Sequence, residues 1–202
     1  MFSKHSVPSS THGENMRRVP LIPDHYYHIY NRGITDSKIF FKERNWIFFL
    51  QRWRKYCLPE FADTIAYCLM PTHYHFLVYV KNEKFGHKVM HPFVMSYAKA
   101  INKQEGRSGH LFQGSFQAKL VDTEAYLSHL TRYIHLNPVE AGYVAHPAEW
   151  EYSSYLEYAG LRDGTLPKTD AVLDNFNDRA DYIAFVEESV PDIKPIMKWM
   201  LD

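Results

Sequence analysis

A chain of 202 residues holds one substantial core and is too short for two comfortable domains. With 46% hydrophobic and 23% charged residues, and no apolar run near the ~20 residues that span a bilayer, the composition is that of a soluble globular protein and excludes a membrane-spanning class. The formal charge of zero excludes a strongly basic nucleic-acid binder, but residues 161–202 carry nine acids against five bases, so a mildly basic body precedes an acidic tail.

Residues 1–22 are polar, with Pro8, Ser9, Ser10 and Gly13, and read as a flexible arm. No apolar stretch follows Lys4, so no secretory signal is expected and the protein is expected in the cytoplasm. "DHYYHIYNRG" reads as a first strand, rich in aromatic and β-branched residues and closed by a turn at Asn31–Gly33. In "RNWIFFLQRWRKYC" the residues Trp46, Phe49, Leu50 and Trp53 recur at i, i+3, i+4 and i+7 and predict a helix. "DTIAYCLM" and "HYHFLVYV" are short strand-like runs separated by Pro71 and Thr72, which predicts a hairpin. Cys57 and Cys68 lie in apolar sequence, fit no zinc spacing and read as small buried hydrophobes.

"HPFVMSYAKAINKQ" has helical spacing through Phe93 or Val94, Tyr97, Ala98 and Ile101, with Lys99 and Lys103 elsewhere on its surface. "GSFQAKLVD" reads as a fourth strand, and "TEAYLSHLTRYIHLN" as a third helix with Asp122 or Thr123 as N-cap and Pro138 as its stop. The order β-α-β-β-α-β plus a helix predicts an α+β fold: a ferredoxin-like core with an added C-terminal helix and tail. "WEYSSYLEYAG" is expected to pack on this domain, and residues 165–202 to form one or two short helices. The acidity of that tail suggests that it competes with a polyanion for the basic body.

Strand alternation sets His73 and His75 on one face and Tyr74, Phe76, Val78 and Val80 on the other, which is wholly apolar. Two imidazoles about 6.6 Å apart along a strand can converge on one metal ion. Spacing alone fits two hydrogen-bonded, half-buried histidines equally well, since twelve histidines in this length give roughly 0.7 such pairs by chance. A partner for them lies in "LTRYIHLNPVEAG", where Tyr133 and Asn137, four apart, share one side of a helix. Held by His73, His75 and the Asn137 amide oxygen, a divalent cation, Mn²⁺ or Mg²⁺, would keep positions open for a phosphate oxygen and orient the phosphorus toward Tyr133. A core aromatic is the plain alternative for Tyr133 among fifteen tyrosines.

In order along the chain, "YYHIYNRGITDSKIF", "MPTHYHFLV", "HLFQGSFQAKLVD", "YLSHLTRYIHLNPVEAG" and "WEYSSYLEYAG" resemble the tyrosine transposases of the insertion-sequence 200 type. Within them the branch associated with repetitive extragenic palindromes is the most similar. The resemblance spans roughly residues 25–160 and implies a domain over 23–160; residues 161–202, read from their composition as an acidic tail of short helices, match no motif of the family. It implies a ferredoxin-like core whose histidine-hydrophobic-histidine (HUH) strand, here His73-Tyr74-His75, binds a divalent metal with Asn137 as third ligand. It further implies that Tyr133 attacks single-stranded DNA near a hairpin, leaving a 5′-phosphotyrosine and a free 3′-hydroxyl before strand transfer. Tyr74 is bulkier than the small aliphatic residues common at that position.

For backbone contacts the basic body offers Arg32, Lys99, Lys103, Arg107 and Lys119, and Phe112 or Phe116 could stack unpaired bases or fill the core. A replication-initiator or relaxase-like nickase, a non-enzymatic hairpin-binding regulator and a phosphodiesterase using activated water remain alternatives. Monomer and homodimer are both open, since the wider family includes dimers.

Overall fold

Alternation along β1 (His25–Arg32) turns Tyr27 and Ile29 to one face of a four-stranded antiparallel sheet and His28 and Tyr30 to the other. The computed structural model describes residues 21–188. The expected N-terminal arm therefore lies almost wholly outside the described residues, as does the tail beyond residue 188. β2 (Ala62–Met70) and β3 (His73–Val80) form the expected hairpin around Pro71 and Thr72. β4 is Gln117–Val121, and the sheet order is β2-β3-β1-β4. That order, with α1 (Glu43–Tyr56) after β1 and α2 (His91–Gln104) after β3, is the expected ferredoxin-like arrangement. One turn of π-helix, Gly86–Met90, leads into α2.

α1 and α2 cover one face of the sheet. Trp46, Phe49 and Trp53 from α1 and Phe93, Tyr97 and Ile101 from α2 pack on Tyr74, Phe76, Val78 and Val80, the apolar face that strand alternation predicts. Trp53 stacks on Phe76 with ring centroids 4.0 Å apart and donates its indole N–H to Thr64 at 2.8 Å. Phe112 is 4% exposed and edge-on to Tyr74, so its ring belongs to this core and offers no face for a stacked base.

The second face is covered by α3 (Glu124–Glu140) and the chain after it. The Thr123 hydroxyl accepts from the Tyr126 N–H at 3.1 Å, which identifies Thr123 as the N-cap. Pro138 does not stop the helix as expected. A proline this near the C-terminus forfeits one hydrogen bond, and the final turn is closed by Ala141 N–H to Asn137 at 3.0 Å and Tyr143 N–H to Pro138 at 2.9 Å. Leu127, Leu130 and Ile134 pack on Cys68, Leu77 and Val121, with Tyr155, Tyr158, Val172, Tyr182 and Val186 completing the second core.

Residues 152–154 extend the sheet at the edge of β2, where Leu69 N–H donates to Tyr152 and Ser154 N–H to Tyr67, each at 2.9 Å. α4 (Tyr155–Tyr158), α5 (Asp170–Leu173) and α6 (Arg179–Glu187) then wrap behind α3. This part of the acidic tail is built into the fold as support for α3. No helix among the described residues is long and apolar enough to cross a membrane.

Candidate active site

Register places the sheet's polar residues in rungs across one face. Arg32 lies opposite His73, Tyr30 lies between His75 and Gln117, and His28 lies between Leu77 and Lys119. α3 crosses over these rungs because its apolar row is buried on β2 and β3, and this brings Tyr133 and Asn137 against the histidine strand. The Tyr133 ring stands edge-on to the His75 ring, centroids 5.6 Å apart at 78°. His73 and His75 are themselves 5.0 Å apart, centroid to centroid.

Each histidine of the pair has its Nδ1 engaged. Thr72 Oγ1 is 3.0 Å from His73 Nδ1, and His28 Nε2 is 2.8 Å from His75 Nδ1. His75 Nε2 is buried and has no hydrogen-bond partner. The Asn137 amide is within hydrogen-bonding reach of both the His73 ring and the Tyr133 hydroxyl, while its Nδ2 donates to the Tyr133 carbonyl at 2.9 Å. That last bond orients the amide with its oxygen available.

Burial governs protonation at the site. It depresses His75 well below the usual histidine value, with the His73 and His28 rings adding to the effect. It lowers His28 to about 3, assisted by the Lys119 charge. It lowers His73 too, against the opposing influence of the Asn137 hydrogen bond and Asp36. All three imidazoles are thus neutral at pH 7, the state a metal ligand requires. The Tyr133 hydroxyl is pushed up to about 12 by burial, partly offset by its hydrogen bond with Asn137.

These residues fit a divalent cation on their own chemistry: two neutral imidazoles, one with an orphaned buried Nε2, beside an amide oxygen. Among the described residues no group of three His, Cys, Asp or Glu side chains is placed to hold a metal ion, so a donor set here would combine the two imidazoles with a different kind of ligand such as the amide.

The candidate DNA contacts divide between the two sides of the sheet. Arg32 and Lys119 lie on the site face by register, and Arg32 pairs with Asp36 at 3.5 Å. Thr35 and Asp36, in the turn that follows, both have positive φ. Gly33 opens that turn because a Cβ there would meet the Ser37 carbonyl oxygen at 2.0 Å. Lys99 and Lys103 are exposed on α2, behind the opposite face, and Arg107 lies over the Phe41 ring at 5.3 Å. His28 and Tyr30 join the site without any signal in their own spacing. What could have marked them is their parity with Arg32 in a strand that must pair with the histidine strand.

Residues 22–137 match the family described as "Transposase IS200 like". The chain belongs to the IS200-like transposase family. A Haemophilus influenzae (strain ATCC 51907 / DSM 11121 / KW20 / Rd) protein, described provisionally as a REP-associated tyrosine transposase, is 24% identical over 117 residues. The match covers 53% of this chain and 66% of that relative, so it spans just under two thirds of the relative's length. Among solved structures, a REP-associated tyrosine transposase bound to a REP hairpin superposes with a TM-score of 0.56 at 15% identity, covering 77% of this chain and 98% of the other. That likeness supports the ferredoxin-like fold of this IS200-like transposase.

Proposed function

We propose that this IS200-like transposase is a metal-dependent single-stranded DNA endonuclease and strand transferase that uses Tyr133 as its nucleophile. The observation that carries the reading is the convergence of Tyr133, the unpartnered Nε2 of His75 and the Asn137 amide on one face of the sheet. A hairpin formed by a palindromic repeat is the proposed substrate, by analogy with the solved neighbour bound to a REP hairpin.

The hydroxyl of Tyr133 is protonated at neutral pH, so it needs both an activated target and precise placement. His73, His75 and Asn137 would hold the cation. Once bound, Mn²⁺ or Mg²⁺ supplies Lewis-acid polarisation of the phosphate and lowers the cost of forming the phenolate. The α3 backbone and the His75 ring fix the direction from which Tyr133 approaches, which is the orientation contribution to rate. A bond forms between Tyr133 Oη and phosphorus while the bond from phosphorus to the 3′ oxygen breaks. The tyrosine proton is lost and the leaving 3′ oxygen gains one, giving a 5′-phosphotyrosine and a 3′-hydroxyl. One phosphodiester replaces another, so the step is nearly isoenergetic, and attack by a different 3′-hydroxyl reverses it as strand transfer. Arg32 and Lys119, which share that face by register, would contact the DNA backbone.

Single-stranded hairpin oligonucleotides labelled at either end test this directly in the presence of Mn²⁺. Cleavage should leave a 3′-hydroxyl on the upstream fragment and should be abolished in Tyr133→Phe and retained in Tyr126→Phe. Cleavage that survives Tyr133→Phe would support an activated-water phosphodiesterase instead. Tight hairpin binding with no cleavage would support a regulatory binder.

A further inference from the structure

We infer that His28 is a positioning residue that presents His75 Nε2 to the cation by accepting the proton carried on His75 Nδ1. The inference rests on the metal-site reading above. His28 and His75 are 0% and 1% exposed, their rings are stacked 5.0 Å apart at 20°, and the distance from His28 Nε2 to His75 Nδ1 is 2.8 Å. Between two neutral imidazoles one nitrogen must be N–H and the other a lone pair. If His28 donates, the His75 proton sits on Nε2 and blocks ligation. If His75 donates, its Nε2 lone pair is free and the His28 proton sits on Nδ1.

Both outer nitrogens, His28 Nδ1 and His75 Nε2, are buried without partners. Either arrangement therefore leaves one orphaned N–H, and neither is favoured by the fold alone. A cation at His75 Nε2 breaks this balance in favour of the second arrangement. With the cation selecting that arrangement, His28 accepts the His75 Nδ1 proton and holds the ring plane of His75, the role that an outer partner plays at a histidine-ligated metal. β1 is well suited to this, because its register with β3 holds the His28 backbone opposite Leu77, one rung from His75.

The test measures Mn²⁺ affinity of the full chain, wild type against His28→Phe and His28→Gln, and reads the histidine tautomers of the Mg²⁺-loaded wild type by long-range ¹H–¹⁵N correlation. His28→Phe should bind Mn²⁺ about 10- to 100-fold more weakly. His28→Gln, whose amide oxygen can take the place of Nε2, should recover most of that loss. His75 should carry its proton on Nδ1 in the loaded wild type. Equal affinity in His28→Phe and wild type, or a His28 proton on Nε2 in the loaded protein, overturns the inference and leaves the metal site standing, whereas a His75 proton on Nε2 in the loaded protein overturns both. A wild type that binds no Mn²⁺, or binds it equally after His75→Ala, overturns the metal site and the inference with it. The tautomer measurement needs no variant, so a poorly folded His28→Phe would not remove the test.

Discussion

His73 and His75 sit where burial outweighs every other influence on their charge. Only neutral imidazole binds a metal, and protons compete once pH falls to the ligand's own pKa. Because both values are depressed below 6.5, Mn²⁺ affinity should stay flat from pH 8 down to about 6.5 and decline only at lower pH. A titration by the paramagnetic signal of free Mn²⁺ checks this, and a decline centred at or above 6.5 would contradict it. The alternation rule was enough to place His73 and His75 together, since a strand offers two faces and the other was wholly apolar. His28 was not legible in the same way. Its partner lies 47 residues away, and only the tertiary pairing of β1 with β3 brings the two rings together.

α3 owes its position to a buried clasp. His135 Nδ1 lies 2.7 Å from Tyr182 Oη and its Nε2 lies 2.8 Å from Ser154 Oγ, while Arg132 Nε donates to the Val186 carbonyl at 3.1 Å. Arg132 also bonds the Glu188 carbonyl. Tyr182→Phe should cost about 1–3 kcal/mol by leaving a buried imidazole nitrogen unpaired, measurable as a lower midpoint in urea. An unchanged midpoint would remove the clasp from the stability of α3. The two amphipathic helices and the hairpin could be read from period alone, because apolar faces at 3.6 and 2.0 residues map directly onto one core. The length of α3 could not, because Pro138 weighs against a helix only until neighbouring turns supply the missing bonds. The side on which each cation lies was also hidden. Lys99 and Lys103 have good helical spacing but belong to α2, away from the histidines, whereas Lys119 shares their face. Lys119→Ala should therefore reduce the slope of log affinity for hairpin DNA against log salt by about 1. The double change Lys99→Ala, Lys103→Ala should alter the slope less than Lys119→Ala does; the reverse ranking would move the DNA path to α2.

Both faces of the sheet are covered, and the second encloses several imidazoles that are neutral in the fold. His28 and His135 are depressed to about 3 and His75 lies well below the usual value, all through burial. Unfolded, each protonates near 6.5. Between the two values the unfolded chain binds more protons, so stability is full above about pH 6.5 and is lost as pH falls toward 3. The slope approaches about 1.4 kcal/mol per pH unit for each histidine that titrates independently. Urea unfolding at stepwise pH from 7 to 4 measures it, and constant stability over that range would contradict the burial of neutral histidines. Strand cleavage by this protein comes down to one bond, between Tyr133 and DNA. The most direct measurement is tandem mass spectrometry of the denatured product formed from the full chain, a single-stranded hairpin oligonucleotide and Mn²⁺. The expected product carries a nucleotide mass on Tyr133 that disappears when the metal is chelated. A nucleotide on a different residue, or none on protein that has cleaved its DNA, would contradict Tyr133 as the nucleophile.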